Sequence, residues 1–137
     1  MSKFQKKADA VIIGLGGITG ASVAYHLIER GWDNIIGIDK SGIPTDIGST
    51  GHASDFCFNT MHDQMTIFTT KYSIDFFEKR GRSSRIGGLE VARKDDDERM
   101  LELQRRVSSG RAFGSRVEMI SAAEAKERMP LLEEDMI

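Results

Sequence analysis

The feature that most constrains this chain is a cluster of glycines between two short apolar runs near its start. Residues 11–13 form the first run, and its unbroken apolar character predicts a strand buried on both faces. Residues 35–38 form the second run, which ends just before Asp39. The glycines follow the first run and lead into a helical pattern over residues 18–30. Strand, glycine-rich turn, helix and second strand together predict a βαβ unit over residues 10–39, of the kind that binds dinucleotides.

The glycines of the turn are candidates for contact with a diphosphate. Glycine lets the backbone turn tightly and approach the phosphates, and the amides at the start of the next helix favour negative charge. The turn is one residue longer than the usual G-x-G-x-x-G pattern, because counting from its first glycine reaches Thr19 where the third glycine belongs. The candidate glycines are Gly14, Gly16, Gly17 and Gly20.

Asp39 is the candidate ligand for an adenosine ribose. It stands at the tip of the second predicted strand, about 20 residues beyond the glycines, where a carboxylate accepts hydrogen bonds from ribose hydroxyls. A carboxylate there favours an unphosphorylated ribose, since it repels a 2′-phosphate. On these residues alone, both an NAD-binding dehydrogenase module and an FAD-binding domain fit.

Composition excludes several classes of function. The chain has 137 residues, mixed charges and a net charge of −2, which gives no case for binding nucleic acid or an anionic membrane. It has no apolar run long enough for a membrane span and no signal-peptide pattern, so we expect a cytoplasmic protein. A lone Cys57 and the lack of zinc-type Cys/His spacing predict no disulfide within the chain and no metal site.

Residues 41–55 read as a long loop, rich in small and polar residues, at the edge where open α/β sheets bind ligands. Beyond it, aromatic residues at helical spacing and an acidic run before an amphipathic segment predict two further helices. The predicted elements are helices over 65–79 and 95–111, strands within 85–93 and 117–120, and a last helix that begins at a capping box on Ser121 and ends before Pro130.

The chain resembles the N-terminal part of one flavoenzyme family, the FAD-dependent amine oxidoreductases of the dimethylglycine and sarcosine dehydrogenase or oxidase type, within the D-amino-acid oxidase group. Five segments carry this resemblance in the same order, and together they cover almost the whole chain. They are GASVAYHLIERGWDNI, IDKSG, GSTGHAS, IGGLEVAR and SAAEAKERMPLLEED.

The resemblance implies FAD rather than NAD as the cofactor, and it extends the set of candidate contacts. The backbone of Ile18 and Thr19 would join the glycines at the diphosphate, and Lys40 would lie beside Asp39 at the ribose. Further along, the loop contributes Gly48, Ser49, Thr50 and, through its backbone, Phe56. In the family motif the histidine bonds the flavin covalently through its 8α carbon, and here that position is His52. Gly51 and Asp55 depart from the family pattern.

The resemblance also implies the organisation of the chain. Residues 1–137 would be an N-terminal segment of an FAD-dependent oxidoreductase domain, an incomplete α/β Rossmann-like fold. Within it, residues 10–39 would be the dinucleotide-binding unit, residues 41–60 the flavin-contacting loop, and residues 65–137 a helix and strand segment leading towards the substrate domain. The chain ends where the family would continue, so we expect a C-terminal portion to be missing.

The resemblance implies oxidation of a small secondary or tertiary amine, such as an N-methylated glycine, by hydride transfer to the flavin. No acid, base or nucleophile constellation is visible in the sequence, so we predict no catalytic residue here and expect this short chain to be inactive alone. The alternatives are an NAD-binding dehydrogenase module and a non-catalytic truncated or interaction subunit. An uncovered two-stranded sheet would also favour self-association.

Overall fold

The computed structural model describes residues 6–45 and 47–137, which form two compact units. The first unit is Met1–Phe56 and the second is Cys57–Ile137. Residue 46, within the predicted flavin-contacting loop, lies outside the described residues.

The first unit is built on a parallel βαβ arrangement. Its elements are β1 (Ala10–Ile13), α1 (Ile18–Ile28) and β2 (Ile35–Ile38). The strands pair in parallel, with Ala10 opposite Ile35 at one end and Ile13 opposite Ile38 at the other. The α/β class and the parallel pairing predicted from the glycine turn are therefore confirmed.

Helix α1 ends because Gly31 turns the chain with a φ of 86°, which L side chains rarely adopt. The Gly31 amide donates to the Ile28 carbonyl at 2.9 Å, and the Trp32 amide donates to the Leu27 carbonyl at 3.1 Å. This pair of bonds satisfies carbonyls at the helix end, as in a Schellman motif. The helix ends two residues before the predicted limit at Arg30.

Only one face of the sheet is covered within the first unit. Helix α1 packs against both strands, and Ile12 is only 8% exposed. On the opposite face, Val11 is 57% exposed, Ile13 82% and Ile38 46%. The prediction that the first strand is buried on both faces is therefore wrong, because an unbroken apolar run signals burial only where neighbouring elements cover both faces.

Besides a short 3₁₀ helix at Glu134–Met136, the second unit contains three α-helices, α2 (Gln64–Glu78), α3 (Asp97–Ala112) and α4 (Ala122–Arg128). Each begins at a side chain that accepts a hydrogen bond from an amide of its first turn: Asp63 for α2, Asp96 for α3 and Ser121 for α4. The predicted capping box at Ser121 is present, with Glu124 bonding back to the Ser121 amide. The three helices predicted from the sequence are confirmed to within two residues at their limits.

The strands predicted within residues 85–93 and 117–120 are wrong. Both segments are irregular, and no other strand of the described residues lies beside them to complete a ladder. A strand needs a partner for its backbone groups, so an alternating pattern alone does not make one. Gly87, at a φ of 79°, also turns the first segment out of an extended course.

Side-chain hydrogen bonds, rather than a strand ladder, fix the position of residues 85–93. The Glu90 carboxylate accepts hydrogen bonds from Arg99 at 3.1 Å and from Arg106 at 3.0 Å, both on α3. Thr60 donates its hydroxyl to the other oxygen of Glu90 at 2.5 Å. One carboxylate therefore joins three segments of the second unit.

The exposed sheet face predicts that the chain associates with itself. Replacing Ile13 with Thr should reduce this association, because the residue keeps a β-branched shape while the exposed apolar area falls. Light scattering and sedimentation equilibrium would measure it.

Ile12→Thr is the matched control, since it changes the adjacent residue on the covered face. We expect it to lower the free energy of unfolding by about 2 kcal/mol, through lost apolar contact and a buried hydroxyl. A wild-type chain that stays monomeric at high concentration would contradict the prediction.

Candidate functional site

The candidate site lies where β1 ends, α1 begins and β2 ends. In a parallel sheet these strand ends share one edge, which is where α/β folds bind ligands. The amides of Gly14 and Leu15 both donate to the Ile38 carbonyl, at 2.8 and 3.2 Å. The first residues of the glycine turn are thereby fixed against the end of β2, next to Asp39.

The Asp39 carboxylate is held by three hydrogen bonds. Its Oδ2 accepts from the Gly16 amide at 2.9 Å, and its Oδ1 accepts from the amide and the hydroxyl of Ser41, each at 3.0 Å. The Ser41 amide, followed by the Gly16 amide, lowers the pKa of Asp39 below its ordinary value. Asp39 is therefore an ionised acceptor, and because a carboxylate has roughly four acceptor positions, Oδ2 retains one for a ribose hydroxyl.

The start of α1 offers amide donors. Gly17 is the N-cap and has no side chain to bond them. The Ile18 amide donates to the Thr50 hydroxyl at 2.9 Å. The amides of Thr19 and Gly20 have no acceptor among the described residues. Unpaired amides at a helix start suit a phosphate oxygen, both as donors and through the helix dipole.

Gly20 lets α1 begin directly on the glycine turn. A Cβ built at Gly20 would lie 2.2 Å from the Gly14 carbonyl oxygen and 2.9 Å from the Leu15 Cα. This is the close helix packing that the third glycine of the fingerprint provides. Gly20 is therefore the third glycine of the G-x-G-x-x-G pattern, which puts Gly17 at the second position and Leu15 at the first. The additional residue of the turn lies before Gly20.

The remaining predicted site residues lie on the loop that follows β2. Gly48 caps a short 3₁₀ helix, Ser49–His52, in which Thr50 reaches the start of α1. The imidazole of His52 is exposed at the end of this helix, and it makes no hydrogen bond to any described residue. Lys40, Ser49 and Phe56 are also exposed. The structure thus brings the glycine turn, Asp39 and Thr50 together, whereas a contact of His52 with a cofactor stays a prediction.

Ser41 and Thr45 belong to the site although the sequence did not identify them. Ser41 caps the Asp39 side chain, and the Thr45 amide donates to the Gly16 carbonyl at 3.2 Å. The Ser41 contact follows a known local pattern, in which an Asp side chain bonds the backbone two residues on. No spacing rule reveals the Thr45 contact, since its partner Gly16 precedes α1 and β2 in the sequence and the segment that follows β2 is irregular.

The residues present fit a diphosphate-containing dinucleotide. Donors for phosphate oxygens stand at the start of α1, and a carboxylate acceptor for a ribose stands beside them on Asp39. No cluster of metal-ligating side chains occurs in residues 6–45 and 47–137. Across the same part of the chain, none of the helices combines the length and apolar character that crossing a bilayer requires.

Comparison with known proteins identifies the fold and its family. The family model described as "FAD dependent oxidoreductase" matches residues 9–136. A crystal structure of L-proline dehydrogenase from P. horikoshii superposes with a TM-score of 0.77 and 27% sequence identity, over 96% of this chain and 35% of that one. The predicted Rossmann-like FAD-binding unit is therefore confirmed as a part of such a domain.

Three known proteins are similar to this chain, two of them over most of its length and one over a little more than half. Sarcosine dehydrogenase of Mus musculus is 26% identical over 93% of this chain, and dimethylglycine dehydrogenase of Homo sapiens is 34% identical over 57%. The pyruvate dehydrogenase phosphatase regulatory subunit of Mus musculus is 29% identical over 92%. The matched regions are 14%, 9% and 15% of those proteins. All three names carry the word mitochondrial, so the predicted cytoplasmic location of this chain stays a prediction.

Gly20→Ala should destabilise the first unit by about 1–3 kcal/mol, because the new methyl group meets backbone atoms that have little room to move. Gly17→Ala is the matched control, at the N-cap of the same helix. A Cβ at Gly17 would lie 3.6 Å from the Thr50 hydroxyl, an ordinary contact distance, and its φ of −88° suits alanine. Urea denaturation of both variants would measure the difference, and equal midpoints would contradict the assignment of Gly20 as the packing glycine.

Proposed function

The chain belongs to the FAD dependent oxidoreductase family, and from that premise we propose that it is the FAD-binding portion of an enzyme that oxidises secondary or tertiary amines. Its similarity to proteins named sarcosine dehydrogenase and dimethylglycine dehydrogenase supports N-methylated glycines as the substrate class. The substrate-holding residues would then lie outside this chain, which spans less than a sixth of those relatives.

One observation carries the FAD-binding part of the proposal. The Asp39 carboxylate accepts a hydrogen bond from the Gly16 amide at 2.9 Å, so the candidate ribose acceptor is attached directly to the glycine turn. That turn leads to the Thr19 and Gly20 amides, which have no acceptor among the described residues. A ribose and a diphosphate are neighbours in the adenosine half of FAD. The two types of contact required are therefore adjacent in the chain's own structure.

The chain's residues serve binding rather than chemistry. The bound flavin would supply the redox chemistry, by accepting a hydride equivalent from the carbon next to the amine nitrogen. Asp39 would hold the ribose, and the amides at the start of α1 would hold the diphosphate. Because no acid or base group of the chain is assigned to the substrate, we expect it to be inactive alone.

We also propose that His52 is the point of covalent attachment, through a bond from an imidazole nitrogen to the 8α carbon of the flavin. That bond would replace a C–H bond of the 8α methyl group and the N–H bond of the imidazole; the two protons would leave to solvent or flavin, and the flavin ring itself would take up the two electrons. The exposure of His52 on the 3₁₀ helix Ser49–His52 supports this proposal, since the ring is accessible. The same 3₁₀ helix contacts the start of α1 through Thr50, which supports the proposal because α1 begins at the candidate site.

A non-catalytic role is the second candidate, and one observation favours it. The chain is similar over most of its length to a protein named as a phosphatase regulatory subunit. A domain of this family would in that case serve to bind a partner protein. Dye-coupled oxidation of sarcosine and dimethylglycine by the longest form of the protein that the gene encodes separates the two candidates, because only the enzyme turns over.

We expect the purified chain to bind FAD, and Asp39→Ala to weaken that binding by about tenfold to a hundredfold, because charge-assisted bonds to the ribose are lost. Quenching of FAD fluorescence on titration would give both dissociation constants. Asp33→Ala is the matched control, since Asp33 is an exposed acid of the same unit. If the wild-type chain bound no FAD, the proposal would fail, and equal affinities of the Asp39 and Asp33 variants would remove Asp39 from the ribose.

The covalent bond is expected in a form of the protein that spans the full length of the dehydrogenase relatives, because the loop alone does not press the imidazole against the flavin. Acid precipitation should leave that form yellow, and mass spectrometry should find the FAD adduct on the peptide containing His52. His52→Ala should release extractable flavin, whereas His26→Ala should retain the adduct. An adduct on His26 or His62 in the wild type would contradict the assignment.

A further inference from the structure

Ser41 and Thr45 close a ring of hydrogen bonds through the candidate site. The Gly16 amide donates to Asp39 Oδ2 at 2.9 Å, and the Ser41 hydroxyl donates to Asp39 Oδ1 at 3.0 Å. The Ser41 and Thr45 hydroxyl oxygens are 2.6 Å apart, and the Thr45 amide returns to the Gly16 carbonyl at 3.2 Å. Both polar backbone groups of Gly16 are thus engaged by the chain that follows β2.

The chemistry of the ring fixes the direction of each hydrogen bond. The Ser41 hydroxyl oxygen lies 3.0 Å from Asp39 Oδ1 and 3.4 Å from the Gly42 carbonyl oxygen, so its single proton is directed at the nearer and charged acceptor, Asp39. The Ser41 oxygen must then accept the proton of the Thr45 hydroxyl. Neither hydroxyl proton is left for a ligand, so both side chains act on Asp39 rather than on a bound molecule.

Packing at Gly16 adds an independent observation. A Cβ built at Gly16 would lie 3.0 Å from the Gly42 carbonyl oxygen and 3.0 Å from both the amide nitrogen and the Cβ of Thr45. The backbone of residues 42–45 therefore lies directly against the glycine turn. The position of the Gly16 peptide depends on where this segment runs.

We propose that Ser41 and Thr45 are positioning residues for the adenosine diphosphate half of the cofactor. They orient the Asp39 carboxylate and hold the Gly16 peptide, so that the ribose acceptor and the glycine turn have their binding geometry before the cofactor arrives. This inference rests on the proposed function, because it assumes that Asp39 and the turn bind FAD.

The physical reason is preorganisation. Asp39 is only partly buried, and a side chain there samples several rotamers unless other groups hold it. Two donors from Ser41 fix Oδ1, which leaves Oδ2 directed towards the Gly16 amide. A site that is already ordered loses less conformational entropy on binding, which appears as a lower dissociation constant.

The test compares the affinity of the full chain for FAD and for ADP in variants that remove or keep each hydroxyl. Ser41→Ala and Thr45→Val should weaken both ligands in parallel by about threefold to tenfold, the loss of one or two hydrogen bonds. Ser41→Thr and Thr45→Ser keep the hydroxyl and should restore the wild-type affinity. Ser84→Ala, at an exposed serine of the second unit that lies outside the predicted cofactor-contacting segments, is the matched control.

A second readout needs no cofactor. In the wild-type chain, the Gly16 amide should exchange its hydrogen slowly and show a distinctive ¹⁵N–¹H resonance, since it donates to a carboxylate. Ser41→Ala should speed this exchange, and Ser41→Thr should not. Thermal melting of each variant reports whether the fold is kept.

The outcomes separate this inference from the proposed function. If the wild type binds FAD but Ser41→Ala and Thr45→Val bind it as Ser84→Ala does, the positioning role is overturned and the proposed function stands. If the wild type binds no FAD, the proposed function fails and the positioning role falls with it, even where Gly16 exchange responds to Ser41→Ala. Weaker binding without rescue by Ser41→Thr or Thr45→Ser would also overturn it, because the hydroxyls would then not be the cause.

Discussion

The first unit depends on the attachment of the glycine turn to the end of β2, which the Ile38 carbonyl and the Asp39 carboxylate provide together. The charged part of this attachment is the hydrogen bond from the Gly16 amide to the Asp39 carboxylate. It joins positions 23 residues apart, one in the turn after β1 and the other just beyond β2. Because the acceptor is charged, this bond is stronger than a bond between neutral groups. It holds the glycine turn at the end of the sheet, so that α1 can begin at Ile18 with Gly20 against the Gly14 carbonyl.

The covered face of the sheet follows from the same contact. Once α1 begins at that point, its course places it against β1 and β2, and Ile12 becomes buried. The glycine turn therefore determines both the binding edge and the small core beside it. This coupling explains why a substitution at Gly20 is expected to affect stability, although the residue belongs to a binding turn.

The sequence predicted those features whose causes are local. Two helices have their N-caps at Asp96 and Ser121, whose side chains accept hydrogen bonds from amides of the next turn. A short stretch of sequence therefore contains everything that determines where each helix begins. Burial of β1 and strand formation near Val91 depend on neighbours distant in sequence, and there the predictions were wrong. An apolar pattern specifies what a segment tolerates, whereas the rest of the fold decides what covers it.

The same distinction applies within the candidate site. Glycines and an acid at fingerprint spacing identified the turn and Asp39, because the βαβ unit fixes their relative positions whatever the intervening sequence. Thr45 was missed because its contact with Gly16 depends on the path of an irregular loop. Loop paths follow from many weak contacts together, and no residue pattern encodes them in a form that can be read directly.

The groups of the candidate site suit the binding of a ligand. They are backbone amides, one ionised carboxylate and hydroxyls whose protons are already directed at other atoms of the chain. Such groups recognise a ribose and a diphosphate, and none of them supplies an acid or base for an amine. A fold of this kind can serve different functions, because function is decided by the residues of a site and not by the fold alone. The ring of hydrogen bonds through Gly16, Asp39, Ser41 and Thr45 fixes the geometry of this edge of the sheet by contacts within the chain itself. The geometry therefore does not depend on which reaction the complete protein carries out.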